Sequence, residues 1–507
     1  MRKTLALALV LAALALPPAT PALAGPDGFT FYGGGWGHGL GLSQWGAYGL
    51  ARQGWGAARI LTHFYQGTRV TQAQSVPATL RIGLVQGQQR VHLEAQAGPV
   101  DLRLGGRKAD DTIATIPKGE TWTVRQVDGK YRIRDAAGDP VGDPVGGPNT
   151  NLYVVYVPNG ARVRIPEAGH TYARGWIELN LYGCSSACAI RLIAVVPTEQ
   201  YLYGLGEVPS SWPMAALKAQ AIAARSYALS KARSGQHRPV CNCALYASSY
   251  DQVYVGWDKE AATDGDRWVS AVDATAGQVV TYQGEVIYAF YMSSSGGYTE
   301  DSENVLSSGT SIQYLRGVCD PGDYTPANPN AVWTVSLSAS EVTQRLSLGI
   351  GTVTGFTDVV RSRSGRILSV TVRGENGTAT VEGSELQARL GLRDERVWIN
   401  RNRLVVGAIR EKYDAMNCAP GLPLSRRVEV AGGLRQAFED GTIYFVDRTG
   451  AHHLDGPVLA FYKSKGGPAG KLGFPTTDVR RMPNGNLRAA FEHGRITCEP
   501  DGTCWIS

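Results

Sequence analysis

The chain opens on an unbroken apolar run, Leu5 to Leu16, set behind Arg2 and Lys3 and ahead of Pro21-Ala-Leu-Ala24. Basic, then apolar, then small residues make the layout of a cleaved secretory leader over 1–24, and the run is too short to span a bilayer. No later stretch approaches membrane length. After Gly33 two short helical patterns follow, the first capped by Ser43 and ending at Gly54, the second running to Gly67. From Pro77 to about Leu181 the period shortens to alternating strands such as Thr79–Val85, Thr121–Val127 and Ala161–Ile165, separated by Gly, Asp and Pro clusters. The strongest helix signal comes next: Ser210 or Ser211 as cap, Pro213 in the first turn, then an alanine-rich run from Ala215 to Arg233 with no interior glycine. A mixed stretch to about residue 400 includes expected strands at Ala271–Tyr282 and Val286–Met292. The glycine run at 33–41 has no strand readable before it. These elements place the fold in the α+β class.

The tail repeats itself. Gly433-Leu-Arg-Gln-Ala-Phe-Glu-Asp-Gly-Thr-Ile443 returns as Asn486-Leu-Arg-Ala-Ala-Phe-Glu-His-Gly-Arg-Ile496, with Gly470-Lys-Leu-Gly-Phe-Pro475 between them. A fixed period of this kind marks a supersecondary unit that stacks on its neighbour. A wall-binding module and a purely structural appendage both fit the pattern.

Charge changes the picture little. The net charge of +6 drops by two once Arg2 and Lys3 leave with the leader, which is mild for 507 residues and unlike a nucleic-acid binder. Export matters more, because it makes disulfides the expected state of the 8 cysteines: Cys184/Cys188, Cys241/Cys243, Cys498/Cys504, with Cys319 and Cys418 left as a long-range pair. A bridge across one intervening residue is strained, so His237, Cys241 and Cys243 form an alternative, a zinc site for which no fourth ligand is evident. Otherwise no cofactor is expected.

Three segments carry candidate chemistry. The first is Gly35-Trp-Gly-His-Gly-Leu-Gly-Leu-Ser-Gln-Trp-Gly-Ala47; its glycine spacing never gives Gly-x-Gly-x-x-Gly, and no Walker or His-Glu-x-x-His pattern occurs elsewhere. The second leads through Glu207-Val-Pro-Ser-Ser-Trp-Pro213 into the alanine-rich helix. Glu207 sits beside Trp212, and an apolar wall raises a carboxyl's pKa, as a general acid for glycoside cleavage requires. The helix beginning near Pro213 favours the carboxylate instead, and a capping or salt-bridged glutamate is the plain structural reading. The third is Tyr291-Met-Ser-Ser-Ser-Gly-Gly-Tyr-Thr299, where hydroxyls of Ser293, Ser295 and Thr299 flank Gly296 and Gly297. No nucleophile elbow surrounds these serines, which points to substrate hydrogen bonding rather than covalent attack.

At these segments the chain resembles the SpoIID/LytB family of cell-wall proteins, the stage II sporulation protein D and amidase-enhancer type. Glu207-Val-Pro-Ser-Ser-Trp212, Ala216-Leu-Lys-Ala-Gln-Ala-Ile-Ala-Ala-Arg-Ser-Tyr227, Ser293-Ser-Ser-Gly-Gly-Tyr-Thr299 and Gly35 to Ala47 carry the likeness. Val208 stands where the family has methionine. The family's usual order closes the domain with the His-Gly motif, whereas here that motif opens it. This looks like a circular permutation, which chains tolerate when domain termini lie close together, and it predicts that 33–68 folds against the Glu207 segment. The tail is similar to the LGFP repeat associated with wall anchoring. The domain reading that follows is 1–24 leader, 25–76 displaced His-Gly segment, 77–181 β-rich region, 182–405 SpoIID-like core, 406–424 linker and 425–507 repeat region.

The resemblance implies a lytic transglycosylase acting on peptidoglycan glycan strands, with Glu207 as its single acid/base. His38, Ser43, Gln44, Trp45, Trp212, Lys218, Gln220, Arg225, Ser293, Ser295, Gly296, Gly297 and Thr299 are then the substrate-binding candidates, with Trp36 or Trp45 as a sugar-stacking face. A histidine bonded to its own backbone is the plain reading of His38. The rival is a non-catalytic wall binder that activates a partner amidase. Either way the expected setting is secreted, at the cell envelope, with no nucleic acid and no membrane span in the mature chain.

Overall fold

The computed structural model describes residues 22–23, 28–156 and 160–507. The expected leader lies outside the described residues, apart from the backbone of Ala22 and Leu23. Among the described residues no helix is long and apolar enough to cross a membrane. The chain forms two compact units, one of Gly35–Ala331 and one made of the stretch ending at Gly34 with Val332–Ser507.

In the Gly35–Ala331 unit the alternating strands build two sheets. One is seven-stranded, in the order Leu245–Tyr246, Thr79–Gln88, Ala189–Pro197, Trp176–Tyr182, Leu152–Tyr156, Val100–Leu104, Thr112–Ile116. The other is five-stranded, in the order Lys130–Arg134, Thr121–Val127, Arg90–Gln96, Arg162–Ile165, His170–Tyr172. The β-rich block therefore runs on past 181, because Ala189–Pro197 is apolar enough to lie at the centre of a sheet with strands on either side.

Four helices complete the part that matters for the site: α1 (Gln44–Arg52), α2 (Ala57–Phe64), α3 (Thr198–Tyr203) and α4 (Met214–Ser234). Ser43 caps α1 as expected, its hydroxyl accepting from Gly46 N–H at 3.0 Å. Neither expected serine caps α4; Pro213 occupies that position without a side-chain bond. Alanine on every side suits α4 to burial, and it packs against α1, α2 and the helix Gly265–Asp273. That last helix takes the first residues of the expected Ala271–Tyr282 strand, which begins only at Gln278. Trp268, Ala271 and Val272 are buried at helical spacing, and that face outweighs their β propensity. Of Val286–Met292, only Val286 at one end and Tyr291–Met292 at the other are strand.

In the other unit Phe29–Gly33 is a strand, which the sequence reading missed before the glycine run. It lies between Trp333–Leu337 and Val397–Ile399, antiparallel to both, with Phe29 and Phe31 buried against Phe356. The 53-residue repeat becomes two hairpins of one register: Phe438 faces Gly441 in the first, and Phe491 faces Gly494 in the second.

Candidate active site

The first part of the Gly35–Ala47 run, up to Gly41, is an irregular loop held by backbone bonds, and its end from Gln44 is the first turn of α1. Trp36 N–H donates to the Ser294 carbonyl (2.8 Å), Ser294 N–H donates back to Trp36 O (3.2 Å), and Leu42–Ser43 then pairs in parallel with Tyr291–Met292. Two of its glycines are required sterically. Gly37 has φ +129° and a Cβ there would lie 2.6 Å from the Met292 Cβ; Gly41 has φ +68° and its Cβ would lie 2.2 Å from the Phe290 carbonyl oxygen. The loop is thus pressed backbone to backbone onto the 290–294 segment. The fold-back expected of 33–68 is present, since both flank one cleft of about 440 Å³ with Glu207.

Glu207 sits just after α3 and ahead of α4. Its Oε1 accepts from Val253 N–H at 2.7 Å and from the Tyr291 hydroxyl at 2.9 Å, and the Gln44 side chain hydrogen-bonds the same carboxyl. Burial pushes the carboxyl above its ordinary value, outweighing those three bonds and the charge of Lys259. Lys259 is itself lowered to about 8 by burial, against the pull of Glu207, and its Nζ donates to Val208 O. Behind the carboxyl runs a chain of amide and phenol: Gln252 Nε2 donates to the Tyr291 hydroxyl (2.9 Å), and Tyr201 donates to Gln252 Oε1 (2.9 Å). Burial and the neighbouring Glu207 charge raise Tyr291 well above an ordinary phenol. It therefore stays protonated and remains a donor.

One cleft wall is braced by Asp251. Its carboxylate accepts from Tyr227 (3.1 Å), Lys231 (2.9 Å), Arg238 (3.1 Å) and Tyr246 N–H (2.9 Å). Burial pushes Asp251 up, but the Lys231 and Tyr246 bonds with the two cations hold it below its ordinary value. Arg238 also donates to the Cys243 carbonyl. Cys241 and Cys243 are joined in a disulfide, as are Cys184/Cys188 and Cys498/Cys504. A zinc site would need Cys241 and Cys243 both as thiolates; His237 Nδ1 lies 2.6 Å from Asn242 Oδ1.

Of the residues singled out in the sequence, Trp36, His38, Gln44, Glu207 and Ser293 line the cleft together. Trp36 and His38 are exposed there. His38 Nδ1 accepts from Leu40 N–H (3.0 Å), so its neutral ring keeps the proton on Nε2. Trp45 and Trp212 pack against each other at a tilt of 52°, centroids 4.7 Å apart, with Tyr48 edge-on to both; they form an aromatic wall outside the cleft's lining. The remaining candidates lie in the interior, apart from Lys218. Ser43 donates to Asp323 Oδ1 (3.0 Å), Ser295 donates to Asp320 Oδ2 (2.6 Å), and Thr299 pairs with the backbone of Val318. Gly296 and Gly297 are buried at positive φ. Arg225, fully buried, forks Glu199 through Nε (3.0 Å) and Nη2 (2.7 Å). Lys218 is half-buried on α4, and Gln220 is buried with neither amide atom hydrogen-bonded among the described residues.

The sequence reading missed Tyr291, Val253, Asp251, Tyr227 and Tyr250 as cleft residues. Tyr291 opened a segment already singled out for its serines. Val253 contributes only backbone, which no side-chain pattern announces.

Residues 187–282 match the SpoIID family, stage II sporulation protein, and residues 421–470 match the LGFP repeat. The chain carries a SpoIID domain and an LGFP repeat. It is 38% identical over 136 residues to the amidase enhancer of Bacillus subtilis (strain 168), covering 27% of this chain and 16% of that protein. It is 29% identical over 220 residues to the stage II sporulation protein D of Bacillus amyloliquefaciens, covering 41% of this chain and 61% of that protein. The corresponding Bacillus subtilis protein is 29% identical over 214 residues, covering 39% and 58%. The chain thus spans less than two thirds of each of these relatives.

Proposed function

We propose that this protein is a cell-wall-associated lytic transglycosylase that cleaves peptidoglycan glycan strands, with Glu207 as its acid and base. A cell-wall role is supported by the SpoIID and LGFP matches and by the names of the relatives. The observation that carries the enzymatic reading is Glu207 itself, a carboxyl raised by burial, held by three donors and facing a cleft with an exposed tryptophan at its rim.

The reaction needs one carboxyl. Glu207 gives its proton to the glycosidic oxygen between N-acetylmuramic acid and N-acetylglucosamine as the C1–O bond breaks. The carboxylate then takes the proton of the muramic 6-hydroxyl as that oxygen bonds to C1, which closes a 1,6-anhydro ring and restores the acid. No water is consumed and no cofactor takes part. In this reading Trp36 offers a stacking face to a sugar ring, and Ser293 and Gln44 lie within reach of its hydroxyls. The Gly35–Ala47 run is the closing piece of a SpoIID-type domain carried at its front, a permutation supported by its pairing with Ser294 and Tyr291–Met292. The chain is exported and its LGFP region holds it to the wall.

A second reading is favoured by one relative's name, amidase enhancer: a wall binder that activates an N-acetylmuramoyl-L-alanine amidase. One experiment separates the two. Purified protein and Glu207→Gln are incubated with peptide-free glycan strands and with intact sacculi, and the products are read by mass spectrometry. The enzyme releases anhydromuramic ends and Glu207→Gln does not. Absence of such ends from the wild type on both substrates, or equal release by the variant, removes the catalytic assignment.

A further inference from the structure

The five-stranded sheet turns a strongly basic face to solvent. Along Arg90–Gln96, Val91, Leu93 and Ala95 are buried and the residues between them point outward; Val124 and Ile133 continue the buried face in the next two strands. Register then places three arginines in one line. Arg132 is the direct cross-strand partner of Arg125, and Arg125 is the direct partner of Arg90. With strands about 4.8 Å apart, three guanidinium groups are rooted within about 10 Å of one another.

Like charges directly opposite each other on adjacent strands destabilise a sheet. Sheets commonly offset this by placing acids in the neighbouring rows. Here the acids on this side are already engaged: Glu94 pairs with Arg164 and Glu167 with His92. Arg90, Arg125 and Arg132 make no ion pair and no side-chain hydrogen bond among the described residues. Arg90 and Arg125 are exposed and Arg132 is half-buried. A row that costs stability, and that the fold leaves without a counter-charge, is complementary to an anion brought from outside.

We propose that the Arg132–Arg125–Arg90 row is a docking surface for a linear phosphodiester polymer, separate from the Glu207 cleft. Two features select that partner. All three cations are arginine, whose planar fork matches phosphate oxygens two at a time, where lysine offers only a point charge. The three also form a line rather than a pocket, which suits repeating charges along a chain better than a single small anion.

The test uses the full chain and a linear poly(glycerol phosphate), with poly-L-glutamate of equal charge as the comparison. Arg90→Gln/Arg125→Gln/Arg132→Gln weakens binding to the phosphate polymer at least tenfold at low salt. It also flattens the slope of log affinity against log salt by roughly three. Its melting temperature is unchanged or higher, because the repulsion along the row is gone. The single Arg125→Gln, at the centre of the row, gives about a threefold loss and serves if the triple variant does not fold. Binding by the variants equal to wild type overturns the proposal, as does poly-L-glutamate binding as tightly as the phosphate polymer. Neither result bears on whether Glu207 cleaves glycan.

Discussion

The Tyr291 hydroxyl donates to Glu207 Oε1 across 2.9 Å while accepting from Gln252 Nε2. Residues separated by 84 positions in the chain are thereby joined in one hydrogen-bonded unit. A donor on the carboxylate favours the ionised form, so Tyr291 restrains a pKa that burial raises.

Replacing Tyr291 with Phe therefore raises the Glu207 pKa further. The alkaline limb of the rate profile moves to higher pH, and the rate at its plateau falls about tenfold, the value of one hydrogen bond to a charged group. A pH–rate series on glycan strands checks this; an unmoved limb would show that the phenol does not act on the acid.

Glu207 also makes stability depend on pH. Its folded pKa lies above the ordinary 4.5, so the folded protein holds this proton more tightly than the unfolded chain. Its contribution is complete below the unfolded value and is lost as pH rises through the folded one. Glu207→Gln removes that loss. The variant melts higher than wild type at about pH 7.5, and the gap closes near pH 4. Parallel melting curves for the two proteins across that range would refute the assignment of a raised pKa.

The serines of the 293–295 segment divide by burial. Ser295 is buried, donating to Asp320 and accepting from Gly297 N–H; Ser295→Ala leaves a buried carboxylate short of a donor and costs about 2–3 kcal/mol of stability. Ser293 lines the cleft, and Ser293→Ala raises KM severalfold with a stability change within about 0.5 kcal/mol. Denaturant titration together with steady-state kinetics separates the two effects, and a reversal of this pattern would move the substrate contact to Ser295.

Gly37→Ala strikes the loop itself. Its φ of +129° is foreign to alanine, and the added Cβ meets Met292 at 2.6 Å. A loss of about 1–3 kcal/mol is expected, with the His38 loop pushed off the cleft. The same substitution at Gly54, where φ is +86° but no atom lies within 4 Å, costs the backbone strain alone and leaves activity intact. Equal effects at both positions would mean that the contact with Met292 is unimportant.

Much of this was legible in the chain. The helix from 214 to 234 followed from alanine content and Pro213, the Ser43 cap from its position, and the strands of the β-rich block from their alternation. The local cysteine pairs followed from spacing, with Cys241/Cys243 left open to a zinc site, and the tail repeat from its period, though not its hairpin form. Short apolar stretches were not: 271–273 went to a helix because Trp268, Ala271 and Val272 are buried at helical spacing, and Phe29–Gly33 became a strand only through partners 300 or more residues away. Arg225 and Ser295 sit in motifs that suggest a site, yet their partners Glu199 and Asp320 make them interior braces.

By itself the sequence determined the kind of domain, pointed to Glu207 as the candidate acid and placed the 33–68 segment against it, while reading the glycine run as room for a sugar polymer rather than for another stretch of backbone. Each of these rests on residue type and local spacing, which the chain displays directly. Tertiary structure decided the rest: which donors reach Glu207, from 44, 253 and 291; the direction of its pKa, set by burial; and the strand register that puts three arginines in line. Those properties depend on distances between groups remote in the chain, and such distances exist only once the core has closed around them.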